Sequence, residues 1–559
     1  MLVFIWGNYS LKARKDQITS SKNPIFDEMK FYNRLGALPL AIKTLLLLLA
    51  LFFIYSLNYH FFDGVLPIHA WRKADSLSLA WNYYKGASFL SPETNHISYF
   101  GNRNAAAEFP IVYYVVGKLW VLFGHHEWIP RLVSFSTLIG SLTLFSSVVN
   151  HILKNHLKTL VFIGVVFSSP ILLFYSDTLL PNVFSFSFSL IASYFLFVFI
   201  HNKSRWSFTF FTLFLTLAIL IKVTVLISIL TFAIGCAFYY FFQKKNLFTT
   251  HRKIFILLCA AFSIAFFFTI LWYSYAISYN ARFDSLMFST DIRPIWEVDA
   301  LRRKEIWEII WKRQFNLLYS YWALIPICLL VFFLAIRTKI SPLFYWLLGI
   351  GLLGTTGYIL LWFWVFDVHD YYLIEMLYLP LIFFFIAIKH TNMQSTITGK
   401  LSRYLSYSVL LLVFLQALSY TQIAFGKKTY IAKNSFLVQE FTKTNWEEIY
   451  WYHSEHLQKL QESKNELQKI IKENDTVFCL TDQSPNVDLY TLGRIGFSNY
   501  TFLKTKPYPT QIPTFIKKGA RYMLVVGNEP IDPLMNQFTK DTVYAKNAVF
   551  IFDLKSYKN

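Results

Sequence analysis

Eleven mostly apolar stretches, separated by short polar or aromatic connections, set the rhythm of this chain. They lie near 38–57, 129–150, 159–176, 182–200, 207–221, 223–242, 254–275, 318–336, 342–364, 372–388 and 405–425. A helix needs about 20 mostly apolar residues to cross a bilayer, fewer where flanking groups reach for the interface. The pattern predicts an all-α polytopic membrane bundle of about 11 transmembrane helices. After about 427 the pattern changes. A long polar stretch carries a narrow stripe of Leu457, Leu460, Leu467, Ile470 and Ile471, which predicts a helix, and Asn445 with Glu448 has the spacing of a capping box at its start. Short β-like runs follow at Asp475 to Leu480, Arg521 to Val526 and Ala548 to Leu554, which predicts a small C-terminal α/β domain.

The chain thus divides into a polar, basic N-terminus at 1–37, a membrane domain at 38–425 with a long first loop at 58–128, and the α/β domain at 427–559. The N-terminus lacks the apolar core and cleavage site of a signal peptide, so the first apolar run is expected to stay as an anchor.

Composition excludes a single water-soluble globule. Only 15% of the 559 residues are charged and 55% are hydrophobic, against about 25% charged in soluble domains. The net charge of +20 would suggest nucleic acid in a soluble protein, but here the cations sit between apolar runs. Lys154, Lys158, Lys203, Arg205, Lys244, Lys245, Arg252, Lys253, Arg337, Lys339, Lys389, Lys400 and Arg403 fall on alternate connections, whereas 177–181 and 365–371 hold no Lys or Arg. Retention of cations in the cytosol explains this asymmetry. It predicts a cytosolic N-terminus, an extracytoplasmic C-terminal domain, membrane lipids as partners and no nucleic acid. Cys236, Cys259 and Cys328 lie in apolar runs and only Cys479 in a polar one, which argues against a disulfide framework.

Candidate chemistry concentrates in the outside connections. In the first loop, 71–85 and 111–123 mix aromatic, apolar and polar residues as helices in a bilayer interface do. Within WRKADS, Asp75 is a candidate general base, its proton affinity raised by burial or lowered by Arg72 and Lys73; taken alone, it reads first as an ordinary solvated loop carboxylate. Glu108, two residues before Pro110, is both a candidate acid and a helix-start carboxylate. Lys222 interrupts LAILIKVTVLI, where a cation costs about 2.5–3.5 kcal/mol at a helix centre. In a turn between two short helices it reads as a point charge for phosphate or as a snorkelling side chain. The turn WVFDVHDYY gathers Asp367, His369, Asp370, Tyr371 and Tyr372, and a histidine beside an aspartate can serve a phosphate oxygen. Asp177 sits in FYSDTLLPN. His125 and His126 are adjacent, a poor geometry for joint metal ligation from one element. HExxH, paired CxxC, P-loop and dinucleotide-glycine patterns are all missing, which argues against ATP hydrolysis and redox chemistry. No cofactor is called for, and a divalent metal is allowed without being indicated.

The order of these pieces carries a resemblance. WRKADSLSLAWNYY followed by AEFPIVYYVVGKLWVLFG resembles the first outside loop of bacterial members of the glycosyltransferase-C superfamily. It is most similar to the family-39-like membrane enzymes related to protein O-mannosyltransferases and the lipid A aminoarabinose transferase. LAILIKVT and HDYYLIEMLYLP resemble later motifs, so the likeness spans about 38–390, and TDQSPNVDLYTLGRIGF resembles the outside domain often appended. The resemblance implies a polyprenyl-phosphate sugar donor, an acceptor of unspecified kind (lipid, glycan or protein), and transfer at the outer face of the bacterial inner membrane. It implies Asp75 as the catalytic carboxylate and Lys222, His369 and Tyr372 around the donor phosphate. Arg72, Glu108, Asp177, Asp370 and Tyr371 are further residues that could meet the acceptor or support the site. Two departures stand out: Asn182 follows Pro181 where many relatives have an acid, and Ser76 follows Asp75 where some have a second one. A transporter or lipid flippase without transferase chemistry is the alternative reading, and a binding scaffold a more distant one.

Overall fold

The computed structural model describes residues 38–243, 252–285, 288, 292–337, 340–390, 397–425, 429–501, 511–527 and 533–557. The N-terminal segment 1–37, the cations Lys244, Lys245 and Lys339, and the start of the C-terminal domain at 427 lie outside them. Apolar runs become helices in chain order: α1 (Leu40–Ile54), then two helices of the first loop, α2 (Ala70–Tyr84) and α3 (Ile111–Phe123), and next α4 (Trp128–Leu153), α5 (His156–Phe167), α6 (Pro170–Tyr175), α7 (Pro181–Asn202), α8 (Arg205–Ile221) and α9 (Leu226–Gln243). There follow α10 (Arg252–Arg282), α11 (Ala300–Ile309), α12 (Tyr321–Arg337), α13 (Pro342–Leu361), α14 (Tyr378–His390) and α15 (Ile397–Ala424).

Among the described residues α4, α7, α10, α13 and α15 are long and apolar enough to cross a membrane. Two further spans are bent: 300–318 meets α12 at 76°, and a 3-10 segment, Asp370–Met376, meets α14 at 45°. The helices α1, α3, α5, α8 and α9 are apolar but shorter. Two expected runs are therefore not continuous helices. The 159–176 run breaks at Ser168 and Ser169 because Pro170, which has no N–H to donate, opens α6. The 372–388 run breaks because Pro380 is tolerated only in a first turn, so α14 starts at Tyr378.

The C-terminal domain begins with α16 (Glu440–Ile470), followed by β1 (Thr476–Cys479), α17 (Val487–Leu492), β2 (Gly496–Ser498), α18 (Ile512–Lys517), β3 (Ala520–Val526), β4 (Thr542–Lys546) and β5 (Val549–Asp553). The helix starts well before the capping box: Gln439 is its N-cap and Asn445 is interior, because buried Leu437 and Val438 anchor the chain ahead of Glu440. The strand order is β2–β1–β3–β5–β4, with β1 parallel to β2 and β3, and β5 antiparallel to β3 and β4. Leu460 and Leu467 of α16, with Ile471 at its C-cap, cover one sheet face over Val477, Leu524 and Ile551. Ile512 and Phe515 of α18, with Met535 and Phe538, cover the other.

This domain is stitched to the first loop. Gly496 of β2 donates to Asn95 O at 3.0 Å and accepts from Ile97 N at 2.6 Å, so residues 95–97 extend the sheet edge. A Cβ at Gly496 would lie 1.8 Å from Val477 O, a backbone atom of the neighbouring strand. Gly496→Ala should therefore cost about 3 kcal/mol or more and expose the domain to protease, read as faster cleavage after β1 and a lower Tm in detergent; wild-type resistance would contradict this packing.

The helix α2 departs from the interfacial expectation. Its residues from Lys73 to Tyr83 are all buried. Small side chains at Ala74, Ser76, Ser78 and Ala80 let protein approach from several sides, and α3 closes in at Gly117, where a Cβ would stand 2.7 Å from both Ala80 O and Tyr83 Cβ. α17 of the C-terminal domain packs against α2 as well. Protein, more than an interface, covers this helix.

Candidate functional site

The bend between α8 and α9, the start of α2, the residues before α3 and the turn before α14 converge. Arg72 Nη2 donates to Glu108 Oε1 at 2.7 Å, and Tyr113 OH donates to Glu108 Oε2 at 3.3 Å. Arg72 Nη1 is buried with no hydrogen-bond partner among the described residues. Burial works against the Glu108 charge, yet Arg72 and then Lys222 more than offset it and hold this carboxyl below its ordinary value. Lys222 lies in the expected break between α8 and a short 3-10 turn. Its ammonium sits over the Tyr372 ring, 4.3 Å from the centroid.

The same tyrosine borders His369, ring to ring at 6.2 Å, so Lys222 and His369 flank one side chain. His369 Nδ1 and Tyr371 OH are 3.0 Å apart. Asp370 turns the other way: its Oδ1 accepts from Tyr175 OH at 2.5 Å and lies 3.1 Å from His69 Nε2. The 3-10 turn Phe363–Asp367 is held by a π-helical turn, Ile310–Gln314, from which Gln314 Nε2 donates to Phe366 O at 2.7 Å and Arg313 Nη2 to Asp367 O at 3.1 Å. Asp367 itself pairs with Arg302.

Asp75 is on α2 but faces the C-terminal domain. Asn486 Nδ2 donates to Asp75 Oδ1 at 2.8 Å, while Asn486 Oδ1 accepts from His96 N at 3.0 Å and Ser78 Oγ at 3.1 Å. Burial, opposed by Asn486 and Arg72, pushes the Asp75 carboxyl up to about 7. Burial also pushes His96 down to about 3, so its imidazole is neutral. In the same domain His456 Nε2 and Asp488 Oδ1 are 2.6 Å apart; burial opposes the imidazolium, but Asp488 raises it to about 9 and ties α16 to α17.

Asp177 stands outside these contacts. Its Oδ2 accepts from Arg131 Nη1 at 2.9 Å, and Arg131 Nη2 also donates to Gly64 O at 2.8 Å and Asp63 O at 3.1 Å. Asn182, at the position of the departure, donates through Nδ2 to buried Glu375 Oε1 at 2.8 Å. His125 and His126 point to different neighbours, Trp120 and Trp128, and no metal-holding group of His, Cys, Asp or Glu occurs among the described residues.

With this geometry in view, the comparison with solved structures is decisive for the fold. ArnT from Cupriavidus metallidurans in the apo state matches at TM-score 0.50 and 10% identity, over 90% of this chain and 97% of that one. The fold is like that of ArnT along nearly the whole length of both chains. The same ArnT bound to undecaprenyl phosphate gives TM-score 0.49 and 10% identity, covering 91% and 98% of the two chains. The archaeal oligosaccharyltransferase AglB from Archaeoglobus fulgidus, in complex with an inhibitory peptide and a dolichol-phosphate, gives 0.46 and 10%, covering 92% of this chain and 74% of that one. No family model and no curated protein matches the sequence.

Within this fold, Arg72, Glu108, Lys222, His369, Asp370, Tyr371 and Tyr372 come together, with Asp75 just behind them on α2. Sequence reasoning passed over His69, Tyr175, Arg131, Glu375 and Asn486. Glu375 lies inside the quoted HDYYLIEMLYLP, whereas His69 falls two residues before the quoted WRKADS. The partners of Arg131 and Asn486 leave no local signal.

Proposed function

We propose that the chain is an integral membrane glycosyltransferase that moves a sugar from a polyprenyl-phosphate donor to an acceptor on the outer face of the membrane. The observation that carries this reading is the pair of cations at one spot: a buried Arg72 with an unpartnered N–H and Lys222 over Tyr372, both acting on Glu108 at the edge of an apolar bundle. A phosphate offers the charge and the acceptor oxygens such donors need. The lipid tail would lie along the bundle, where apolar side chains such as Phe266, Phe267 and Ile270 of α10 are exposed.

A sugar on a polyprenyl phosphate is already activated, because the phosphate is the leaving group. The site then has to neutralise the departing phosphate and take a proton from the acceptor. Arg72, Lys222, His369 and Tyr372 serve the first need. For the second, α2 offers Asp75, the carboxylate implied by the resemblance, and His69 at its first turn. The glycosyltransferase-C fold and the sequence motifs of the first loop support this reading.

The test is turnover by the purified full chain in nanodiscs, with undecaprenyl-phosphate-linked glucose, mannose, galactose and 4-amino-4-deoxyarabinose as donors and a membrane lipid extract as acceptor. Release of undecaprenyl phosphate from at least one donor is expected. Release from none, with no missing sugar mass in the lipids or glycans of a deletion strain, would overturn the proposal.

A further inference from the structure

We infer that His69, aligned by Asp370 and Tyr175, is the group that accepts the proton of the acceptor hydroxyl. The inference rests on the glycosyltransferase reading above and names the residue that reading leaves open.

His69 is the N-cap of α2 and holds a left-handed backbone, φ +51° and ψ +36°. A non-glycine residue in that region is strained, and the strain persists only where the surroundings enforce it. The enforcing contact is visible. Nε2 lies 3.1 Å from Asp370 Oδ1, and the same oxygen accepts from Tyr175 OH. Asp370 is 2% exposed, so its carboxylate cannot turn to water for an alternative partner. An ionised carboxylate only accepts hydrogen bonds, so the proton of the neutral imidazole belongs on Nε2. The lone pair is then on Nδ1, which makes no hydrogen bond among the described residues. Unlike the Lys73 ammonium, it is not sealed away as a buried unpartnered atom. The imidazole is 15% exposed and is walled by Tyr371 and His369, with ring centroids at 5.5 and 6.3 Å. Those residues adjoin the Lys222 and Tyr372 contact, which puts the free nitrogen beside the phosphate cradle.

A carboxylate that fixes the tautomer of a histidine and steadies the imidazolium is the logic of nucleophile-activating dyads on many folds. Here it balances simply. The acceptor oxygen forms a bond to the anomeric carbon, and its proton passes to His69 Nδ1. The bond from that carbon to the phosphate oxygen breaks, and its electron pair leaves on the polyprenyl phosphate. Arg72 and Lys222 meet the phosphate charge, while Asp370 meets the imidazolium charge. Asp75 suits the role less well. It is 4% exposed, spends one oxygen on Asn486 and stands against the C-terminal domain. That geometry makes Asp75 a positioning residue that seats α2.

The experiment uses the full chain in nanodiscs with whichever of the four undecaprenyl-phosphate sugars the wild type turns over. His69→Ala should lower kcat about 10²–10⁴-fold and leave the donor KM within about twofold, and added imidazole should restore at least a tenfold gain. His69→Gln, which keeps an amide donor toward Asp370, controls for folding: it should match the wild-type Tm yet lose kcat like His69→Ala. A kcat within threefold of wild type in His69→Ala, or a loss that imidazole does not relieve, would overturn the inference and leave the glycosyltransferase reading intact. A wild type silent on all four donors, with no missing sugar mass in a deletion strain, would remove both.

Discussion

Arg72→Ala is expected to cut kcat/KM for the lipid-linked donor about 10²–10³-fold, the usual cost of removing one preorganised donor aimed at developing charge. Arg72→Lys should recover little of that loss. A lysine gives a point charge but not the planar fork that holds Glu108 with one nitrogen while leaving Nη1 for a ligand. The alanine variant also strands Glu108, a buried carboxylate whose low proton affinity depends on Arg72. Lost activity could then be confused with lost stability. The double variant Arg72→Ala with Glu108→Gln separates them: it should regain most of the Tm while transfer stays low. Recovery of transfer in the double variant would show that Arg72 acts only by holding Glu108.

The largest loss of stability is expected at Arg131. Its guanidinium joins Asp177 to the backbone carbonyls of Asp63 and Gly64, and both members of the ion pair are buried. Removing one partner of such a pair typically costs about 3–5 kcal/mol, because the other charge is left without compensation. Arg131→Met should lower the Tm in detergent accordingly, and adding Asp177→Leu should return a large part of the loss. The two single changes should therefore be strongly non-additive. Additive losses would show that Arg131 works through the loop carbonyls and that Asp177 contributes little.

These residues also show where sequence reasoning reaches and where it stops. Lys222 was legible because a cation inside an apolar run has few tolerable positions, and the chain indeed breaks its helix there. The cluster from His369 to Tyr372 was legible because histidine beside aspartate is not what an aromatic belt requires. Helix boundaries followed from apolar runs except where proline overrode them, at Pro170 and Pro380. Three of the five strands carried apolar β-like runs. β2 is too short to show a period, and β4 is an exposed edge strand of five residues. The pairing of His69 with Asp370 had no local signature, because it joins two turns through the folded bundle. The interfacial reading of α2 failed for a related reason. Its mixed pattern looks the same whether lipid headgroups or a polar domain lie against it.

The contact from Asn486 to Asp75 has a consequence for how the molecule is made. The two residues are 411 positions apart in the chain. At a ribosomal pace of about 5–20 residues per second, the interval between them is about 20–80 s. For that time α2 has one flank uncovered, and the Asp75 carboxyl remains in water instead of meeting the amide that later clasps it. Every candidate span among the described residues is synthesised before the clasp is, so the bundle can be inserted while this flank of α2 still lacks its cover. Only arrival of the α/β domain closes it, so the membrane part of the molecule waits on a domain made after it.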